Sequence, residues 1–307
     1  MRILITGASG LLGINLALES ANQHEVCGQV NSNMLQTDAF TVLKTNLLEP
    51  GAVERTLDEA QPDWVIHCAA LANVDACEND PELARELNTE VPRKLAEQCR
   101  MGGARLLHVS TDAVFDGKKG GYKEDDQPNP LGTYAKTKLE AEYAVAARNP
   151  EAIIARVNLF GWSLKGKRSL AEFFYNSLSA GKNVMGFTDV FFCPLLVNDI
   201  AGIFLKMLKT GLSGVYHVLS SDTMSKYEFG LEIARRFSLD GGLIAPVSVM
   251  DSGLQARRSP NLTLSVDKLT RDLDLTPPEI STGIERFYTL YQQGYPQYIQ
   301  GMAVIDQ

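Results

Sequence analysis

The sequence has few cysteines, no long apolar run and no excess of positive charge, and each shortage excludes a class of protein. Its 307 residues contain five cysteines and no CxxC pair, which excludes a disulfide scaffold and favours reduced thiols in the cytoplasm. No stretch approaches the roughly 18 apolar residues of a membrane span, and no charged leader precedes the first strand pattern. The net charge of -8, with only short basic clusters, argues against a nucleic-acid partner.

One pair of residues has the chemistry of metal ligands. His67 is followed directly by Cys68, but the residues around them form an apolar stretch typical of a buried strand. We therefore interpret both as core residues and predict no metal centre.

Short apolar runs alternate with helical patterns through the first half of the chain. The predicted strands are Arg2–Thr6, His24–Val30, Phe40–Leu43, Asp63–His67, Leu106–Val109 and Ala152–Val157. The predicted helices between them are Leu11–Ser20, Gly51–Ala60, Pro81–Met101 and Thr133–Ala147. Strands without polar alternation, separated by helices, indicate a parallel sheet covered on both faces. The fold class is therefore α/β, a doubly wound parallel sheet of the Rossmann type.

The pattern is less regular after Val157, where helices are separated by short strands such as Val215–Val218. The helices predicted there are Ser169–Ala180, Asp199–Thr210, Lys226–Phe237 and Ile280–Tyr291. We predict a dinucleotide-binding domain formed by residues 1–157 and about 198–218. A smaller, discontinuous C-terminal substrate domain then comprises about 158–197 and 219–307.

A glycine-rich turn lies between the first predicted strand and the first predicted helix. Gly7, Gly10 and Gly13 have the spacing GxxGxxG, which allows a tight turn and brings a backbone and a helix N-terminus close to a pyrophosphate. Dinucleotide sites of this kind usually carry an acidic residue about 20 residues further on. Asn31–Asn33 has none, which favours NADP(H), with NAD(H) as the alternative.

A tyrosine and a lysine occur four residues apart in a predicted helix. Tyr134 and Lys138 then share one helix face, and a nearby ammonium is expected to lower the pKa of the phenol. Thr111 follows a predicted strand, where ligands bind in open parallel sheets. A solvated helix face and a strand-end turn are the structural alternatives.

Together these features resemble the extended short-chain dehydrogenase/reductase family. The block Ser110–Gly117, followed by Tyr122, Tyr134 and Lys138, is most similar to its dTDP-4-dehydrorhamnose reductases. The resemblance implies a catalytic set of Thr111, Tyr134 and Lys138. It implies cofactor contacts from Gly7, Ser9, Gly10, Leu11, Leu12, Gly13, Asn31, Ser32, Asn46, Leu47, Ala69, Ala70, Asn88, Tyr134 and Lys138. It implies substrate contacts from Thr111, Asp112, Asn158 and Arg258.

The resemblance implies an NAD(P)H-dependent reductase of a nucleotide-diphospho 4-keto-6-deoxy sugar. Ala113 stands where that subfamily has a tyrosine near the sugar, so the identity of the sugar stays open. The alternatives are a nucleotide-sugar epimerase or dehydratase of the same family, and a non-catalytic NADP-binding regulatory subunit similar to the beta subunit of methionine adenosyltransferase. The sequence also leaves open whether the protein is a homodimer.

Overall fold

The computed structural model describes residues 1–251 and 259–304. Its strands are β1 (Arg2–Thr6), β2 (Glu25–Val30), β3 (Thr41–Lys44), β4 (Trp64–His67), β5 (Arg105–Thr111), β6 (Ile153–Val157), β7 (Leu159–Phe160), β8 (Val184–Phe187), β9 (Phe191–Phe192), β10 (Leu195–Leu196), β11 (Gly214–Val218), β12 (Met224–Ser225), β13 (Ile244–Val247) and β14 (Asn261–Leu262). Seven of them form one parallel sheet in the order β11-β6-β5-β4-β1-β2-β3. This sheet confirms the predicted α/β fold.

Helices cover both faces of the large sheet. They are α1 (Leu11–Ala21), α2 (Ala52–Ala60), α3 (Val74–Asn79), α4 (Pro81–Arg85), α5 (Val91–Gly102), α6 (Thr133–Arg148), α7 (Leu170–Ser179), α8 (Val197–Thr210), α9 (Lys226–Arg236), α10 (Asp267–Leu273), α11 (Ile280–Gln292) and α12 (Tyr295–Gln300). A π-helical turn, Glu86–Glu90, joins α4 to α5, so the predicted single helix Pro81–Met101 has three segments. No helix of the described ranges is long and apolar enough to cross a membrane.

The two faces of the sheet bury different side chains of the same strands. Ile3 and Ile5 of β1 pack in one cluster with α1 and α8, whereas Leu4 packs in a second cluster with α5 and α6. Successive residues of a strand point to opposite faces, which explains this division. Full burial of one such side chain stabilises the fold by about 1.5–3 kcal/mol.

A third apolar cluster, rich in aromatic residues, lies in the second half of the chain. Phe160, Trp162, Phe174, Phe229 and Phe287 are all buried there, among α7, α9 and α11. The rings of Trp162 and Phe287 stack with centroids 3.9 Å apart. Small sheets border this cluster, β12-β9-β14 and β13-β8. The bounds of the two domains stay a prediction. Strand β11, which lies in the segment assigned to the dinucleotide-binding domain, is at the edge of the large sheet beside β6.

The C-terminal segment returns to the N-terminal half of the chain. Leu35, in the loop after β2, forms an isolated antiparallel bridge with Ala303. The N–H of Gln36 donates to the carbonyl of Met302 at 2.8 Å, and the Tyr295 hydroxyl donates to Asn15 Oδ1 of α1 at 2.8 Å. The last helix and residues 301–304 are therefore held against α1 and the loop after β2.

Candidate active site

The turn between β1 and α1 has room only for glycine at two positions. Gly7 has a φ of 69°, and a Cβ there would lie 2.8 Å from the Cα of Ala69, just after β4. A Cβ on Gly13 would lie 2.2 Å from the Gly7 carbonyl oxygen. The Gly7 N–H donates to the side chain of Gln29 at 3.0 Å, which fixes the turn against β2. The predicted glycine motif is thus a tight strand-to-helix turn.

The N-terminus of α1 is open to a bound anion. Gly10 is its N-cap residue, no side chain caps it, and its first turn carries no acidic residue. A helix N-terminus in this state attracts a pyrophosphate through its N–H groups and its dipole. Ala69 and Ala70 lie half-buried beside the turn. The residues present therefore fit a dinucleotide cofactor.

The loops after β2 and β3 are where an adenosine would lie. Asn31 and Ser32 are exposed after β2, whereas Leu47 is buried and the side chain of Asn46 accepts a hydrogen bond from the Leu48 N–H at 3.2 Å. The strand register places Lys44 of β3 opposite Val30, and Lys44 is exposed. A basic residue at this edge was missed by the sequence analysis, because only the pairing of the strands brings it there.

Thr111 and Tyr134 lie together at the carboxyl end of β5. Thr111 lies close enough to Tyr134 to affect its titration, and the Thr111 hydroxyl donates to Asp112 Oδ1 at 3.1 Å. Burial raises the pKa of Tyr134 to about 12, the Asp112 carboxyl adds to the rise, and the Thr111 hydroxyl opposes it. The expected lowering of the tyrosine pKa by Lys138 is therefore wrong for this arrangement: the net shift is upward, and burial is its largest cause.

The ammonium of Lys138 is anchored on the sheet. Its Nζ lies 3.2 Å from Nε2 of His108, a residue of β5 that the sequence analysis missed. Burial lowers the pKa of Lys138 to about 8, although Glu142 and Cys68 oppose the shift. Desolvation of a charged group explains the direction. Cys68, together with His67 on β4, is thus packed beneath the candidate catalytic lysine.

Asn88 forms hydrogen bonds with the loop after β4 and with Thr137, and not with Lys138. It lies in the π-helical turn, its Oδ1 accepts from the Leu71 N–H at 2.8 Å, and its Nδ2 donates to Thr137 Oγ1 at 3.1 Å. Thr137 is the residue before Lys138, so Asn88 connects the cofactor side of the site to α6. The cofactor contact implied for Asn88 stays a prediction.

The two predicted substrate residues nearest Thr111 are paired with each other. The Asn158 amide donates to Asp112 Oδ2 at 2.6 Å. Burial raises the pKa of Asp112, while the bonds from Asn158 and Thr111 and the charge of Lys226 oppose the rise. Arg258, the third residue assigned to the substrate side, lies outside the described residues.

A buried ion pair lies directly behind this site. Glu142 follows Lys138 by one helical turn, and its carboxylate accepts from Ser110 Oγ at 2.5 Å and from Arg156 Nη2 at 2.7 Å. Nη1 of Arg156 lies 3.4 Å from Nε2 of His217 on β11. The network ties α6, which carries Tyr134, to β5, β6 and β11.

Comparison with known proteins identifies the family. A family model described as RmlD substrate binding domain matches residues 1–293. The chain belongs to this family. A probable low-salt glycan biosynthesis reductase, Agl14, from Haloferax volcanii is 33% identical over 286 residues, covering 91% of this chain and 95% of that protein. Methionine adenosyltransferase 2 subunit beta from Pongo abelii is 33% identical over 281 residues, covering 87% and 81%.

The RmlD fold is also found among solved structures. A dTDP-4-dehydrorhamnose reductase from Bacillus anthracis str. Ames, in complex with NADP, matches with a TM-score of 0.81 and 26% identity. The match covers 94% of this chain and 98% of that one. The predicted membership of the extended short-chain dehydrogenase/reductase family is confirmed. The similar proteins thus include reductases and the beta subunit of methionine adenosyltransferase 2.

Proposed function

We propose that this protein is an NAD(P)H-dependent reductase of a nucleotide-diphospho 4-keto-6-deoxy sugar. The observation that carries the proposal is the placement of Tyr134, in the first turn of α6, beside Thr111 at the carboxyl end of β5, with Lys138 one turn further along α6. Reductases among the relatives and structural neighbours support the same reaction class.

A bound NADPH or NADH supplies the hydride for the keto carbon. Because the pKa of Tyr134 is about 12, the phenol carries its proton at neutral pH and can donate it to the keto oxygen. Thr111 orients that oxygen, and Lys138, one turn further along α6, is the residue that would hold the nicotinamide ribose. Asp112 and Asn158 line the substrate side of the same strand end.

The cofactor is proposed to be NADP(H) rather than NAD(H). Asn31 and Ser32 present no carboxylate that would repel a 2′-phosphate, and Lys44 adds a positive charge at the neighbouring strand end. The NADP complex of the Bacillus anthracis reductase supports this choice. The glycine turn and the open N-terminus of α1 then hold the pyrophosphate.

The test is NADPH oxidation followed by absorbance, with a panel of nucleotide-linked keto sugars, for the wild-type protein and Tyr134→Phe. We expect turnover of at least one 4-keto-6-deoxy sugar and a fall of at least about 10²-fold in the variant, which loses only the acid. Unchanged NADPH affinity in Tyr134→Phe serves as the control for folding. Equal turnover by both proteins would contradict the assignment.

A regulatory subunit is the second candidate, because methionine adenosyltransferase 2 subunit beta is as similar to this chain as the glycan reductase is. The intact Thr111, Tyr134 and Lys138 set favours the enzyme. NADPH binding without oxidation of any keto sugar in the panel would favour the subunit.

We further propose a cytoplasmic homodimer. The five free thiols fit a reducing compartment. Leu83, Met101 and Tyr143 expose apolar side chains on the adjacent helices α4, α5 and α6, where a second copy could bind. Cell fractionation tests the location, and light scattering on the purified protein tests the oligomer. A periplasmic or secreted protein, or a monomer at micromolar concentration, would contradict these proposals.

A further inference from the structure

Two buried histidines lie beneath the candidate catalytic lysine. His67 of β4 and His108 of β5 are register neighbours, and their rings stack with centroids 5.4 Å apart. Their exposed fractions are 1% and 0%. Nδ1 of His67 lies 2.6 Å from Thr6 Oγ1, but Nε2 of His67 and Nδ1 of His108 have no hydrogen-bond partner in the part of the chain that the structure describes. Unpaired buried polar atoms destabilise a fold, so apolar side chains would pack here at lower cost.

The contact with Lys138 fixes the protonation state of His108. A lysine ammonium can only donate, so Nε2 of His108, 3.2 Å from Nζ, must be the acceptor. The ring proton then lies on Nδ1, and the imidazole is neutral. Burial and the charge of Lys138 lower the pKa of His108 well below its usual range, which agrees with this state.

Building on the proposed reductase function, we propose that His108 is a positioning residue that holds the Lys138 ammonium in place for Tyr134 and the cofactor. A lysine side chain has four carbons and three donors on a freely rotating head. One donor is committed to His108, which leaves two for acceptors on the open side of the site. The anchor also restricts the side chain before any ligand arrives, which reduces the entropy lost on binding.

The charge state of Lys138 depends on groups from three elements. On α6 itself, Tyr134 and Glu142 each lie one turn from Lys138. His108 faces the lysine from β5, and His67 faces it from β4. Cys68, directly after β4, is also close to the lysine. Burial holds the pKa of Lys138 near 8. A hydrogen bond accepted by His108 favours the charged form, so its removal lowers this pKa further. Lys138 would then lose its proton at a lower pH.

The first experiment measures kcat/KM against pH for the wild-type protein, His108→Leu and His108→Gln. In His108→Leu we expect the alkaline limb to move to lower pH by about half a unit or more, since an acceptor of the charged form is lost. His108→Gln, which keeps an acceptor, should restore part of the shift. His24→Leu is the matched control, because His24 packs edge-on against Trp64 directly before β2, away from Lys138 and Glu142. A wild-type profile in His108→Leu, or the same shift in the control, would overturn the proposal.

The second experiment needs neither activity nor a folded His108 variant. In ¹⁵N NMR spectra of the wild-type protein without ligand, we expect His108 to carry its proton on Nδ1 and to stay neutral at pH values where an exposed imidazole is protonated. Lys138→Met should change the Nε2 signal, since it removes the donor. A proton on Nε2, or a charged His108 at pH 6, would refute the contact. If the contact is found and no keto sugar is reduced, the proposed function fails while the anchoring of Lys138 by His108 stands.

Discussion

Replacement of Glu142 by alanine tests whether the ion pair behind the site holds the sheet and α6 together. Glu142 and Arg156 are 2% and 3% exposed, and the carboxylate also accepts from Ser110. The variant leaves a guanidinium buried without its partner, and breaking such a pair costs about 3–5 kcal/mol. A folded domain has only about 5–15 kcal/mol to lose, so the effect is large.

Urea unfolding followed by circular dichroism measures this loss. With an m-value of about 3 kcal/mol/M, the midpoint should fall by about 1 M or more. Glu232→Ala is the matched control, because Glu232 pairs with Arg235 on the surface, where that arginine is 70% exposed. An exposed pair contributes about 0–1 kcal/mol, so this control should scarcely move the midpoint.

A double variant separates the missing partner from a packing defect. Glu142→Leu combined with Arg156→Met removes both charges and keeps apolar volume, and we expect it to recover much of the lost stability. The reasoning is refuted if Glu142→Ala loses no more than Glu232→Ala. It is also refuted if the double variant is less stable than Glu142→Ala.

Three further predictions concern the ligands. Calorimetric titration should show tighter binding of NADPH than of NADH, and a preference for NADH would mean that Asn31 or Ser32 serves the 2′-hydroxyl. Gly13→Ala should weaken NADPH binding at least about 10-fold, because its Cβ would lie 2.2 Å from the Gly7 carbonyl oxygen and distort the turn; an unchanged affinity would show that the turn tolerates a side chain. Arg258→Ala should raise KM for the nucleotide sugar and leave NADPH affinity unchanged, since Arg suits a diphosphate; wild-type values of both would place Arg258 on the surface.

The central strands β1, β4 and β6 were predictable because nearly all of their residues are buried, so that their sequences are almost continuously apolar. The turn at Gly7 and the placement of Thr111 at a strand end followed from local spacing in the same way. The short strands around Phe191 and the helix Val74–Asn79 were missed, since segments of two to six residues carry too little periodicity to be recognised.

The contacts of Lys138 were not predictable from the chain alone. Its spacing from Tyr134 suggested that the two groups act on each other, whereas the structure joins Lys138 to His108, 30 residues away, because β5 passes beneath α6. The π-helical turn that carries Asn88 was hidden for a similar reason. A single extra residue in a helix changes the facing side chains without changing the apolar pattern visible over the whole segment.

The antiparallel bridge between Leu35 and Ala303 joins the C-terminal segment to the loop after β2. This is the loop that is expected to distinguish the two cofactors. The backbone of Met34 accepts from Val304 and that of Gln36 donates to Met302, so this loop is held on its outer side by residues almost 270 positions later. Cleavage of the chain near Gly294 would release that hold while leaving the glycine turn intact. Discrimination between NADPH and NADH would then depend on the last ten described residues.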